Sequence, residues 1–288
     1  MATSLKNWKT VNMEFGICVY CVVVRIDVLE ERLNVNVEGG KKMAGLIKGI
    51  KSVLIPDVHI NDKGYAKVYE PVKKFIADFK PDKIYLMGDF ADCCSLSHWN
   101  LQKRRKMEGL RHKKEVANVE KEIKYLAKYC DEIVWLEGNH EDWLNQYLDK
   151  NPEMEGLIEY SELIDFEKYN IKWVPLNTLH KVGHLFLTHG MYINDHHAKK
   201  HLQKLGCNIC YCHTHIPQTY GMNMKMQEPF KATCLGCLCD FKAPYLKGKE
   251  GNWINGFAVL YVAKNGEFNL YPVDVINKRF YWNDKRYD

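Results

Sequence analysis

The sequence lacks long apolar runs, and none approaches the roughly 18 consecutive apolar residues of a membrane-spanning helix. It also lacks internal repeats, low-complexity tracts and long linkers, and proline is scarce, at 9 of 288 residues. The net charge of +5 falls short of the strong basic character of a dedicated nucleic-acid binder. These absences exclude a fibrous, disordered or membrane-spanning chain, so we expect a globular protein with a large core and no membrane partner.

The N-terminus lacks the basic region, apolar stretch and cleavage site of a usual signal peptide. The chain has 11 cysteines, an odd number. This count and the lack of a usual signal peptide together predict reduced thiols and a cytoplasmic location. Residues 38–43 (EGGKKM) are what a purine-rich ribosome-binding site before a start codon would encode. We therefore predict that residues 1–42 are an extension that is not translated in vivo, and that residues 43–288 form a single domain. A genuine extension is the alternative.

Six of the cysteines cluster in two short segments, CNICYC at 207–212 and CLGCLC at 234–239. The CxxC pairs Cys207/Cys210 and Cys234/Cys237 have the spacing of a structural zinc site. The alternative is that these are small apolar residues buried in strands, because apolar residues lie between them. The sequence leaves both interpretations open.

Strands and helices alternate from residue 50 onward. Apolar runs at Ser52–Ile55, Lys83–Met87 and Glu132–Leu136 indicate buried strands, and helical spacing occurs at Tyr65–Phe79 and within Leu96–Tyr129. This β-α-β-α-β order favours a parallel sheet, and the strand-rich second half favours a second sheet packed on it with helices outside. Further strands are predicted at Lys172–Val174, His184–Thr188, Asn208–Cys212, Lys231–Leu235, Gly256–Val262 and Glu267–Tyr271, and further helices at Glu141–Lys150 and Asn194–Leu205.

Polar side chains follow five of the predicted strands, at the point where each strand ends. In α/β sheets this edge is where functional sites assemble. Oxygen and imidazole ligands in such numbers suit two divalent metals, and the Asp-x-His and His-x-His spacings place both side chains on one side of an extended chain. The residues, in chain order, are Asp57, His59, Asp89, Asp92, Asn139, His140, His189, His213 and His215.

These residues form the motifs DxH, GDxxD, GNHE, HG and HxH, and in this order they resemble the calcineurin-like metallophosphoesterases, from about Ser52 to about Pro217. The segments GCLCD (236–240) and NWINGF (252–257) are similar to the compact members found in phage and bacterial genomes. The resemblance implies an α/β fold, a four-layer α-β-β-α sandwich of two mixed sheets flanked by helices. It also implies the cytoplasm of a bacterium or a phage-infected host.

The resemblance further implies a dinuclear-metal-dependent phosphoesterase, in which a metal-bridging hydroxide attacks phosphorus in line with the leaving oxygen. His140 would stabilise or protonate that oxygen, and Asp92 would orient His140. Manganese is the expected activator in vitro, and zinc, iron(II), iron(III) or nickel also suit the ligands. The implied ligands are Asp57, His59 and His215 for metal one, Asn139, His189 and His213 for metal two, and Asp89 bridging both.

One departure from the family pattern bears on the substrate. The related protein phosphatases have an arginine directly after the second aspartate of GDxxD, where this chain has Cys93. We therefore favour a phosphodiesterase or nuclease acting on nucleotides or nucleic acid, with a phosphomonoesterase as the alternative. A non-catalytic metal-binding scaffold or a nucleic-acid-binding module is the alternative from another class. The sequence makes no prediction of oligomeric state.

Two further groups of residues are candidates for contacting the substrate. An aromatic residue close after Asp92 could stack on a base, and basic residues there could hold phosphates; the alternatives are core packing and a solvated helix face. A histidine-rich helix after His189 could likewise meet an anionic substrate or be an exposed basic helix. The first group is His98, Trp99, Arg104 and Arg105, and the second includes His196, His197 and His201.

Overall fold

The computed structural model describes residues 49–100, 103–225, 227–241 and 251–288. The predicted extension 1–42 and its boundary at residue 43 lie outside these ranges. Within the described ranges, no helix has the length and apolar character needed to cross a bilayer.

The described chain contains thirteen strands and six α-helices. The strands are β1 (Ile50–Ile55), β2 (Lys83–Leu86), β3 (Glu132–Leu136), β4 (Ile171–Val174), β5 (His180–Val182), β6 (Leu185–Leu187), β7 (Ile209–Tyr211), β8 (Gln218–Met224), β9 (Gln227–Cys234), β10 (Gly256–Val262), β11 (Phe268–Asp274), β12 (Phe280–Trp282) and β13 (Lys285–Tyr287). The helices are α1 (Glu70–Phe79), α2 (Arg104–Met107), α3 (His112–Leu126), α4 (Asn139–Leu148), α5 (Tyr160–Leu163) and α6 (His197–Leu205), with 3₁₀ turns at Lys67–Tyr69 and Pro152–Met154.

Both large sheets are mixed. The first has the order β11-β10-β1-β2-β3-β4, in which β1 to β4 run parallel while β10 and β11 pair antiparallel at one side. The second has the order β5-β6-β7-β9-β8, with a parallel centre and antiparallel edges. Parallel strands need crossover connections, and the helices between β1, β2 and β3 supply them.

The layers follow from the alternation of side chains along the central strands. Val53 and Ile55 of β1 pack into the cluster formed with α1, α3 and α4, whereas Leu54 packs into the cluster between the two sheets. Helix α6 covers the far side of the second sheet, where Leu202 packs on Ile209 and its neighbours. The predicted four-layer α-β-β-α sandwich is confirmed.

Strands β8, β12 and β13 were not predicted from the sequence, and two helices start at other residues than predicted. Strand β8 lies at a sheet edge and its residues, QTYGMNM, show little apolar alternation. The hairpin β12–β13 turns at Asn283 and Asp284, both at positive φ, a two-residue turn that its Asn-Asp pair could have indicated. Helix α4 begins at Asn139 rather than at Glu141, and α6 at His197 rather than Asn194.

Five of the six clustered cysteines are buried in this fold, and Cys207 is half-buried just before β7. Cys210 and Cys212 are buried between the two sheets, and Cys234 is buried beneath α6. In the described part of the chain, no group of metal-competent donor atoms contains two cysteines. The arrangement therefore supports buried strand residues over a structural zinc site.

Candidate metal centre

Five loops at the ends of β1, β2, β3, β6 and β7 bring the motif residues together. Around the first loop, His59 Nε2 lies 3.3 Å from His215 Nε2, and His215 Nε2 lies 3.3 Å from Asp57 Oδ1. Asp89 Oδ2 completes the group, 3.8 Å from His59 Nε2. Four donor atoms thus face one another, as they would around a single cation.

A second group shares Asp89 with the first. Asp89 Oδ2 lies 3.4 Å from His189 Nε2, and His189 Nε2 lies 3.0 Å from Asn139 Oδ1. Donor atoms of Asp89, His189 and His213 all lie within 4.8 Å of one another. Asp89 therefore occupies the position between two ligand groups.

Two buried donor atoms in these groups have no hydrogen-bond partner, Asp57 Oδ1 and His213 Nδ1. Asp57 is fully buried, and its Oδ1 has the ion-pair contact with His215 but no hydrogen bond, which is costly for a buried carboxylate oxygen. A divalent cation at each group would satisfy these atoms. The side chains therefore fit two divalent metals.

The ligand-bearing loops adopt an unusual backbone conformation. Five of these residues have positive φ: Asp57 (40°), His59 (52°), Asp89 (49°), His213 (74°) and His215 (61°). For residues other than glycine this conformation costs on the order of 1 kcal/mol or more each, and it persists only where the surroundings enforce it. The loops thus aim these side chains into the centre at some expense in stability.

The glycines of the GD and GN motifs are required by close packing. A Cβ at Gly88, which has φ of +96°, would lie 2.4 Å from His189 Nδ1, and one at Gly138 would lie 2.2 Å from Asp89 Oδ1. Any side chain at either position would push a ligand out of place.

His140 and Asp92 form a pair beside the ligand groups. His140 Nδ1 lies 2.7 Å from the Asp92 carbonyl oxygen and 3.2 Å from Asp92 Oδ1. Asp92 Oδ1 also lies 3.3 Å from Nδ1 of His59, so one carboxylate orients two histidines. Burial lowers the pKa of His140, but Asp89 and Asp92 outweigh it and raise this pKa to about 9. The two carboxylates therefore favour the protonated form of His140.

The family model for calcineurin-like phosphoesterases matches residues 50–241 of this chain. The chain belongs to the calcineurin-like phosphoesterase family. It is thus a metal-dependent phosphoester hydrolase that uses divalent metals, as the motifs predicted.

The curated relatives include the Gene 54 proteins of Mycobacterium phage D29 and Mycobacterium phage L5, each 27% identical over 217 residues. The matches cover 69% and 68% of this chain, and 84% and 83% of the relatives.

Among solved structures, Vps29 of Chaetomium thermophilum matches with a TM-score of 0.37 and 12% identity. The match covers 78% of this chain and 97% of that one.

The charges of the phosphoesterase's ligand cluster couple metal binding to pH. Although burial opposes it, Asp89 raises the pKa of His189 to about 9, and Asp57 raises that of His215 to about 10. Burial and the charge of His189 lower the pKa of His213 to about 4. A metal binds the neutral imidazole, so binding must displace the protons of His189 and His215. Metal affinity is therefore expected to rise with pH.

Glu141 is a residue of the phosphoesterase site that the sequence analysis did not single out. Its buried carboxylate accepts hydrogen bonds from the backbone N–H groups of Asp89, Ala91 and Gly138, each 2.9 Å long. It thereby ties the loop after β2 to the start of α4. Glu141 stands three residues after the helix-capping Gly138, and this spacing was a signal that could have identified it.

The candidate substrate residues follow Asp92, between the end of β2 and the end of α2. The His98 and Trp99 rings contact each other at 4.4 Å, and Trp99 is 64% exposed. Arg105 is exposed on α2, and the side chain of Arg104 lies outside the described part of the structure. In that part, His98, Trp99 and Arg105 make no hydrogen bond or ring contact with the ligands, so their substrate role stays a prediction.

The histidines of α6 differ from both expectations. His197 and His201 are buried, so they neither meet a substrate nor form an exposed basic face; His196 is exposed. His201 Nε2 accepts the Met191 N–H at 3.0 Å, and His197 Nδ1 lies 2.6 Å from the Tyr211 hydroxyl. The many polar residues of this segment gave no sign that α6 has a buried face, and this face supports the loop after His189.

Proposed function

We propose that this enzyme hydrolyses phosphodiesters of nucleotides or nucleic acids. The observation that carries the proposal is the environment of Cys93, directly after Asp92. Its side chain is fully buried, its N–H donates to Glu115 Oε1 at 3.1 Å and its sulfur lies 3.0 Å from the Tyr160 hydroxyl. The position therefore points into the core and offers no cation to the substrate.

The missing cation favours a diester on grounds of charge. A phosphomonoester carries up to two negative charges, and guanidinium groups bind such dianions through paired, charge-assisted hydrogen bonds. A diester carries one charge and has less need of that contact. A centre whose other cations are the two proposed metals and a protonated His140, with no guanidinium from position 93 beside them, suits the diester better.

In this proposal the residues divide into ligands and a proton donor. Asp57, His59 and His215 would hold one divalent metal, Asn139, His189 and His213 the other, and Asp89 both. Bound divalent metals supply Lewis acidity and activate water for attack. His140, protonated and oriented by Asp92, would donate its proton to the departing oxygen. The ligand chemistry suits manganese, and also zinc, iron or nickel.

The relatives support a setting for this activity. Two curated relatives come from bacteriophages, which supports the proposal that the enzyme acts in the cytoplasm of a bacterium or a phage-infected host. Nucleic acids are abundant phosphodiesters there, and cyclic nucleotides are phosphodiesters as well. His98, Trp99, Arg104 and Arg105 remain candidates for contacting such a substrate.

The proposal predicts a preference that a paired assay measures. Metal-stripped protein, re-supplied with manganese, should hydrolyse bis-p-nitrophenyl phosphate with kcat/KM at least about tenfold above that for p-nitrophenyl phosphate, or about 1.4 kcal/mol in transition-state stabilisation. Both reactions release the same phenolate, so the leaving group is held constant while the phosphate charge and the second ester group differ.

The opposite outcomes are equally informative. Faster turnover of the monoester would contradict the proposal and assign a phosphatase. Turnover of neither substrate by protein with two bound metals would leave a very selective phosphoesterase or the non-catalytic scaffold.

A further inference from the structure

The outer nitrogens of the ligand histidines have different partners. A metal-binding histidine usually donates its second ring N–H to a carbonyl or carboxylate, which fixes the tautomer and tunes affinity. His189 follows this rule, with Nδ1 3.0 Å from the Met87 carbonyl oxygen. His59 follows it too, with Nδ1 3.3 Å from Asp92 Oδ1. His215 does not, because its Nδ1 faces the sulfur of Cys239 at 3.8 Å.

The orientation of the His215 ring assigns the proton. Nε2 faces the first ligand group, 3.3 Å from both Asp57 Oδ1 and His59 Nε2. An imidazole that binds a metal through Nε2 carries its proton on Nδ1. That N–H faces the Cys239 sulfur at 3.8 Å, so this sulfur can accept it; the Cys237 thiol also interacts with the His215 side chain.

Backbone hydrogen bonds hold the sulfur in this place. The Leu238 N–H donates to the Asp57 carbonyl oxygen at 3.0 Å, and the Ile254 N–H donates to the His215 carbonyl oxygen at 3.1 Å. The Asn255 side-chain amide donates to the Cys239 carbonyl oxygen at 3.0 Å. The cysteine is 6% exposed. The segment carrying Cys239 is thus fixed to the same strand ends as the ligands.

We propose that Cys239 is a positioning residue that orients His215 and sets the affinity of metal one. The inference rests on the two-metal assignment of the proposed function. Replacing the partner of a ligand histidine typically lowers metal affinity 10- to 100-fold. Because His215 lies in the first group only, the loss should fall on one of the two metals.

Cobalt(II) binding to the metal-stripped full chain, followed by visible absorption, tests this proposal. Cys239→Ala should weaken one of two binding steps by about 10- to 100-fold and leave the other unchanged. Cys239→Ser should restore much of that affinity, because a hydroxyl oxygen also accepts the Nδ1–H. Cys130→Ser, at a thiol that contacts the Leu126 carbonyl oxygen instead, is the matched control and should bind like the wild type.

Three results would overturn the proposal. Unchanged cobalt binding in Cys239→Ala is the first, and equal weakening of both steps with a lowered unfolding temperature of the metal-free protein is the second. The third is a sulfur-to-cobalt charge-transfer band that Cys239→Ser abolishes, which would make the sulfur a direct ligand. No substrate is needed, so failure of the phosphodiesterase assay leaves this test readable.

Discussion

Asp89→Asn is expected to lower hydrolysis of bis-p-nitrophenyl phosphate by about 10³-fold or more, the scale seen when an essential active-site group is removed. Asp89 Oδ2 lies 3.4 Å from His189 Nε2 and 3.8 Å from Nε2 of His59, so its charge serves both ligand groups. Its Oδ1 accepts the His140 N–H at 2.8 Å, a contact that asparagine can keep. The variant should therefore fold and yet bind less metal.

Metal analysis and kcat/KM measured on the same preparation check this expectation. Asp78→Asn is the matched control, since Asp78 is an exposed residue paired with Lys285. The control should retain wild-type activity and metal content. Near wild-type activity of Asp89→Asn with two bound metals would contradict the bridging role.

His140→Gln is expected to lower kcat by about 10²- to 10⁴-fold with poor leaving groups, the range for loss of a general acid. A p-nitrophenolate departs without much help from a proton, so the decrease in kcat caused by His140→Gln should be smaller with p-nitrophenyl substrates. In a series of aryl methyl phosphates, the variant's rates should therefore fall more steeply with leaving-group basicity than those of the wild type.

His196→Gln is the matched control for this series, because His196 is exposed on the surface. It should show the wild-type dependence on the leaving group. Equal loss by His140→Gln across the series, with unchanged metal content, would remove His140 from the role of proton donor.

The sequence predicted the ligand groups because each proposed ligand lies within four residues of a strand end. Strands β1, β2 and β3 are short apolar runs that patterning detects, and the parallel arrangement brings their carboxyl ends to one edge. Predicting that Asp57, Asp89 and Asn139 meet at that edge therefore requires no knowledge of contacts between distant segments of the chain.

The parts that the sequence did not predict depend on contacts between distant segments. Glu141 accepts a hydrogen bond from the N–H of Asp89, 52 residues away in the chain. Cys239 faces His215 from another loop. His197 and His201 can be buried since their ring nitrogens have hydrogen-bond partners in Tyr211 and the Met191 backbone. Residue polarity alone does not reveal these partners. Local pattern locates strand ends, whereas the partners of buried polar atoms require the packed structure.

The number of manganese equivalents needed for full phosphodiesterase activity tests the central claim most directly. Metal-stripped protein would be titrated with manganese while the initial rate on bis-p-nitrophenyl phosphate is followed. Two ligand groups sharing Asp89 predict that the rate rises until two equivalents are bound and then stays constant. A plateau at one equivalent, or full activity in the metal-stripped protein, would contradict a two-metal centre.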